Sequence, residues 1–354
     1  MVSVSRLARL LALVGVSAAA PRAATLHKRD ALPDYALRYA PLSYLHSNES
    51  WFLSDVEVHL ANVQPEVNFS ALGPVGSVTL DNLASYASNV YLTAAGSPIL
   101  NPENGTPGWL QSRYGIPDAS GRSAAPGLII AAEKDSSTTD VFYFYFYSYN
   151  YGGKVLDINF DDHVGDWEHV MIRFVNGSPY AVYVSQHSAG SAYYWDVVSF
   201  RGDRPITYVG RGGHANYVTA GTQEYTIALG LIKDSTDAGY LWDMTLNYRG
   251  YWYDVASNTF SAASGLEGEG GASWLSWGGM WGDQKYPDDF LHDIQTGQYC
   301  ISSECHYVSG PTGPVAKNLG RKTVCQNDND DCTIFNDINE ITHQSKKKAR
   351  DVHE

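Results

Sequence analysis

The run His163-Val-Gly-Asp166-Trp167-Glu168-His169 places two carboxylates and two imidazoles within seven residues. Strand-like apolar sequence follows at once (Val170, Met171, Ile172, Phe174, Val175). Imidazole with carboxylate is what a protein needs to hold a divalent cation or to move a proton. Alternate side chains of a strand share a face, so Asp166 and Glu168 stand side by side. Charges that close repel and raise each other's pKa unless something positive sits between them. A cation is one answer; protonated His163, protonated His187 or Arg173 is another. Parity sends His169 to the opposite face beside Trp167, where it reads as a packed or supporting histidine.

These residues need elements to position them. Residues 166–175, a turn at Asn176-Gly177 and residues 178–187 read as a hairpin. A two-residue loop sets Val175 opposite Ser178 and, counting back, Asp166 opposite His187. A four-residue loop would set Glu168 there instead. Either way Asp166, Glu168 and His187 share a face, whereas a three-residue loop would break that parity. The clearest strand is 141–151, where Phe142, Phe144 and Phe146 alternate with Tyr143, Tyr145, Tyr147, Tyr149 and Tyr151. The expectation is Phe in the core and Tyr on a second, partly wet face. Ser148 and Asn150 turn the Phe face polar at its end, beside the prospective site. The glycine-rich loop from Gly210 to Tyr217 brings His214 and Asn216 near. His163, Asp166 and Glu168 are therefore the candidate cation ligands. His187, His214, Asn216 and Asn150 complete the shell or touch a bound group. Mixed oxygen and nitrogen donors suit Mg²⁺, Ca²⁺ or Mn²⁺ better than a closed structural zinc. The plain alternative is a solvated face or a structural polar network.

The chain has 354 residues, 44% hydrophobic and 13% aromatic but only 18% charged, with nine Trp and 25 Tyr. That composition leans to an all-β or β-rich protein with a large core. The expected fold is a jelly-roll-like β-sandwich with peripheral short helices and Gly-rich loops. Residues 1–24 have the basic start, short apolar run and small-residue end of a secretory signal. Residues 25–29 form a short pro-segment ending at Lys28-Arg29. Residues 30–310 are expected to be a single sandwich-like domain, and 311–354 a polar tail carrying two of the four cysteines. Ser54-Asp55-Val56-Glu57 has the form of a capping box, with Val56, Leu60 and Val63 on one helix face. Residues 64–127 read as loops with short elements.

The compartment reading has further support. Asn48, Asn68, Asn104 and Asn176 each open a glycosylation sequon. Cys300, Cys305, Cys325 and Cys332 would make two disulfides in an oxidising compartment, with three pairings open. An extracellular or vacuolar destination follows. The net charge is −14, and −19 for a form starting at Asp30 (24 − 5 − 38). Such a chain repels phosphate backbones, which excludes nucleic acid as a partner. Nothing resembles a transmembrane helix. No GxSxG, HExxH, GxGxxG or GxxxxGK spacing occurs.

Two resemblances enter on these residues. Ala40–Ser47, Phe52–Asp55, Gly165-Asp-Trp-Glu-His-Val170, Ser185-Gln-His187, Arg204-Pro205, Gly213-His-Ala-Asn-Tyr217 and Trp281-Gly-Asp283 resemble the fungal family of vacuolar protein sorting-associated protein 62. The likeness spans roughly 35–310 and implies a role in protein delivery to the vacuole. More distantly, His163-Val-Gly-Asp166-Trp167-Glu168 is similar to the Gly-His-Arg-His-Asp-Trp-Glu core of the necrosis- and ethylene-inducing peptide family. That family comprises secreted β-sandwich cytolysins that bind a divalent cation and sphingolipid headgroups. The likeness implies His163, Asp166 and Glu168 at the cation, and His187-Ser188 matches a His-Gly of that family. Gly165 replaces the signature's second His, and Asn150 or Asp157 stands nearest to its earlier ligand aspartate. Together these imply a cation-dependent binder of a polar lipid or glycan headgroup. The alternatives are a metal-dependent hydrolase of phosphodiester or glycoside bonds and a non-catalytic sorting protein.

Overall fold

The computed structural model describes residues 31–94, 107–155, 158–187, 189–224, 233–264, 271–287, 298–301, 304–327 and 332–338. The signal, the pro-segment, Asn104, Asp157, Ser188 and 339–354 lie outside the described residues. The chain is β-rich with a few short helices, as its composition implies.

The scaffold is an eight-stranded sheet. Its order is Thr259–Ala262, Tyr248–Asp254, Gly127–Glu133, Thr138–Asn150, His163–Val175, Ser178–Gln186, Ala189–Tyr194 and Ile334–Phe335. The long Thr138–Asn150 and His163–Val175 strands lie antiparallel at its centre. Tyr145 pairs with Glu168, and Tyr147 with Asp166. This register puts both carboxylates on the Tyr face, while Trp167 and His169 join the Phe face.

That Tyr face is dry, which corrects the expectation of a partly wet one. Tyr143, Tyr145, Tyr147 and Tyr149 are all within 1% of full burial. A five-stranded sheet built on Leu42–Leu45, Arg204–Val209 and Tyr240–Asp243 covers Tyr143, Tyr145 and Tyr147, while Tyr149 packs with Trp51, Leu110 and Val164. Leu45, Val209 and Trp242 pack there against Tyr145 and Tyr147. Two of the hydroxyls find polar partners, Tyr143 donating to Ala36 O and Tyr145 bonded to Ser43 Oγ. On the opposite face, Phe142, Phe144, Phe146 and Trp167 pack under Trp274, Trp277 and Trp281. The small Val63–Val67, Ser70–Ala71, Tyr91–Ala94 sheet also lies on this side. Residues 64–94, read as loops with short elements, contribute these short strands.

Two local readings shift. The Val56–Leu60 helix is capped by Asp55, which accepts from Glu57 N–H. Ser54 is not the cap; its hydroxyl bonds Ser148 and Tyr114 instead. The region after 311 is more than a polar tail. Ile334–Phe335 adds a parallel strand to the main sheet, and Arg321 is fully buried beneath it. The disulfides are local clips, Cys300–Cys305 and Cys325–Cys332.

Candidate functional site

At one end of the Tyr face lies a cavity of about 250 Å³. Asn150, His163, Asp166, Glu168 and His187 all line it, with Asp161, Gly213 and Lys317. Five residues singled out in the sequence therefore meet in one concave space. His187 arrives by an unforeseen route. The Asn176-Gly177 loop pairs Val175 with Ser178, but a bulge at Tyr180 then shifts the register by one, so that Val170 pairs with Val184. Continued as strand, position 187 would oppose Trp167. Instead the strand ends at Gln186, and His187 adopts φ +54, turning into the cavity. Its Nε2 meets Asp234 Oδ2 at 2.8 Å.

His214 stands behind the cavity. It is fully buried and stacked on Tyr147 with centroids 3.6 Å apart and planes 2° apart. Its Nδ1 lies 3.0 Å from Asp166 Oδ2 and its Nε2 3.1 Å from Trp51 O. Two acceptors flank the two ring nitrogens, an arrangement that favours donation from both and hence the imidazolium form. Burial works against that charge, but the Asp166 hydrogen bond and the nearby Glu49 and Asp166 charges raise its pKa. Burial likewise pushes the Asp166 carboxyl up, yet the His214 bond and charge, helped by His163 and Lys317, hold it below the usual value. Asn216 is buried beside this pair, its amide nitrogen donating to His214 O.

Glu168 takes the opposite course. Burial first, and then the Asp166 charge, push its carboxyl up to about 8, against the pull of Lys317, Ser185 and His187. Ser185 donates to its Oε2. A carboxyl whose folded pKa lies above its ordinary 4.5 takes up a proton on folding. Stability therefore falls as pH rises from 4.5 to about 8. Glu168→Gln mimics the protonated form, so at pH 8.5 it should be more stable than the parent by on the order of 3 kcal/mol. The two should converge near pH 4.5. Urea unfolding at both pH values checks this, and equal offsets at the two would refute the shift.

His163 Nδ1 donates to Gly165 O at 2.7 Å. This orients the ring and leaves Nε2 as the nitrogen available to a ligand. Asp166 Oδ1, Glu168 Oε1, His163 Nε2 and Asn150 Oδ1 are thus donor atoms not taken up by the bonds above, a set whose chemistry fits a hard to borderline divalent cation. Among the described residues, no three His, Cys, Asp or Glu side chains are already gathered to ligand distance.

His169 is not part of the cavity. It is buried against Phe144 and Tyr183, with Arg321 Nη2 at 3.2 Å. Arg173 does not neutralise the carboxylates either; it pairs in bidentate fashion with Asp140 at 2.7 and 2.8 Å. Asp161, Asp234 and Lys317 had no sequence signal, because each reaches the site from a segment without a motif. Of the sequon asparagines, Asn48, Asn68 and Asn176 are exposed on turns.

Fold and site define a disulfide-bonded, β-rich protein with a small acidic and imidazole-lined cavity at one end of its main sheet. The chain belongs to the vacuolar protein sorting-associated protein 62 family. The sequence model of that family matches residues 128–287. TDA6 of Saccharomyces cerevisiae is 31% identical over 338 residues, covering 85% of this chain and 70% of TDA6. Vacuolar protein sorting-associated protein 62 of the same yeast is 29% identical over 337 residues, with 85% and 69% covered. Among solved structures, NLPPya in complex with mannosamine is 10% identical with a TM-score of 0.30, over 61% of this chain and 71% of that one. Necrosis and Ethylene inducing Protein 2 from the agent of cocoa's witches' broom disease is 14% identical with a TM-score of 0.29, over 55% and 72%. At those TM-scores the likeness decides neither fold nor function.

Proposed function

We propose that this chain is a binding protein of the secretory route whose cavity takes one polar headgroup, of a glycan or a lipid. A divalent cation held by Asp166, Glu168 and His163 would assist. The observation that carries this reading is the meeting of those three residues with Asn150 and His187 in one cavity of about 250 Å³. Drug-sized ligands occupy roughly 300–1,000 Å³, so this space suits a single ring or headgroup. A bound cation would supply charge neutralisation for the two carboxylates and an open position for a ligand oxygen. Asn150 and His187 would hydrogen-bond the ligand, and His214 would hold Asp166 in place. The family's names point to vacuolar protein sorting, and we place the binding event in that traffic, in the vacuole or outside the cell.

Gly213 provides the test. A Cβ added there would lie 3.7 Å from His187 Cε1 and 3.8 Å from Asn150 Oδ1, an ordinary contact in backbone that any residue adopts. Gly213→Leu should fill the cavity, keep the melting temperature within a few degrees and weaken ligand retention about tenfold or more. The probes are immobilised saccharides and vesicles bearing glycosylated or phosphorylated headgroups, each with calcium and with chelator. No retention of any probe by the parent protein would sink the reading.

One observation favours a second reading, hydrolysis. A carboxyl kept protonated to about 8 beside an ionised one is the division of labour of an acid and a base. Turnover of a glycoside or phosphodiester probe, lost in Glu168→Gln, would select it.

A further inference from the structure

Lys317 is a charged cavity residue for which the preceding reading has no role. It comes from the segment that composition marks as a tail, yet that segment is firmly held. Lys322 O and Thr323 O accept from Arg173 at 2.8 and 3.0 Å, and Leu319 O accepts from Lys134 Nζ. Arg321 is fully buried, with its guanidinium 5.0 Å from both the Phe142 and Tyr183 ring centres. Its Nη2 donates to Lys317 O at 2.7 Å. Three cationic side chains thus grip this strap through its carbonyls and fix the backbone of Lys317 at the cavity.

The other cationic groups at the cavity are paired, His214 with Asp166 at 3.0 Å and His187 with Asp234 at 2.8 Å. Among the described residues, no ion pair within 4 Å is recorded for the Lys317 ammonium, although it lines the same wall as Asp166 and Glu168. Asp166 already pairs with His214, but a second charge on Glu168, which divalent binding requires, needs a further positive group, and a tethered ammonium supplies one without an external ion. A divalent ion entering the cavity shares it with that ammonium, and like charges repel.

We propose that the Lys317 ammonium is the cavity's resident cation, delivered by the 311–327 strap, and that a divalent cation binds only by displacing it. This rests on the cation reading above. The site is then a choice between two occupants, one covalently tethered and one set by ion concentration.

Calorimetric titration of the full secreted protein with calcium, magnesium and manganese tests this, with parent, Lys317→Met, Lys317→Gln and Lys317→Arg compared. Each variant's melting curve confirms folding. Divalent affinity should rise about tenfold or more in Lys317→Met and Lys317→Gln and stay at the parental level in Lys317→Arg. The gain should persist at about 0.5 M salt, where long-range charge effects are screened. Binding only once Lys317 is neutralised would support the proposal most strongly. Equal affinity in parent and Lys317→Met would overturn it and leave the cation reading standing, as would a gain that vanishes at high salt. No heat with any ion in any folded variant would overturn both.

Discussion

Gly165→Ala is expected to abolish recovery of folded protein. Gly165 has φ +68, and a Cβ there would lie 2.2 Å from Trp281 O, a backbone atom that cannot swing aside. The position belongs to a stack of three backbones. A Cβ on Gly282 would fall 1.8 Å from Val164 O, and one on Gly310 would fall 2.4 Å from Gly282. Relief would require separating residues 281–283 from the first turns of the His163–Val175 strand, which carries the candidate ligands. Disruption of that kind exceeds about 4–5 kcal/mol. Gly202→Ala is the control, since φ is +65 there but nothing lies within 4 Å. It should cost only about 1 kcal/mol of left-handed backbone strain. Folded yield and thermal melting of the two variants separate clash from strain. Parental yield for Gly165→Ala would show that the three backbones can part.

The parts of the structure that were legible in the sequence are those set by local rules. Asn176-Gly177 predicts the hairpin, and its positive φ values of +51 and +74 bear this out. The alternation over 141–151 predicts a strand, and period two sends His169 away from Asp166 and Glu168. What failed depends on distant segments. Nothing near Tyr145 announces that Leu42–Leu45 and Tyr240–Asp243 will cover it and turn a wet face into a core. The Tyr180 bulge moves the register without a local sequence mark, and only the left-handed turn at His187 returns that imidazole to the cavity. Lys317 is placed by contacts of Lys134, Arg173 and Arg321 with backbone carbonyls, which no motif encodes. The residues with chemistry were therefore readable as types, and their joint geometry was not.

Asp166→Ala is expected to destabilise the fold by about 3–5 kcal/mol, the usual cost of removing one partner from a buried ion pair. His214 would keep its bond to Trp51 O and its stack on Tyr147. Its Nδ1–H, however, would point at a void, and a fully buried imidazolium without a counter-charge must give up its proton. Asp166→Asn should cost less, because the amide preserves shape and can donate to a neutral Nδ1; losing a charged hydrogen bond is worth about 1.5–3 kcal/mol. The pH dependence carries the sharper signature. Asp166 titrates below its ordinary 3.8 in the folded state, so its contribution is present above 3.8 and fades as pH falls through the folded value. His214 titrates above its ordinary 6.5, so its contribution is complete below 6.5 and fades as pH rises through the folded value. The deficit of either variant should therefore be greatest between about pH 4 and 6.5 and shrink on both sides. Denaturant unfolding from pH 3 to 9 measures it, and a deficit that stays flat across that range would show that His214 is neutral in the fold. A maximum in the acid range has a functional consequence. The pair that fixes Asp166 at the cavity would be strongest at the pH of an acidic compartment, where protonated Glu168 also costs the fold least.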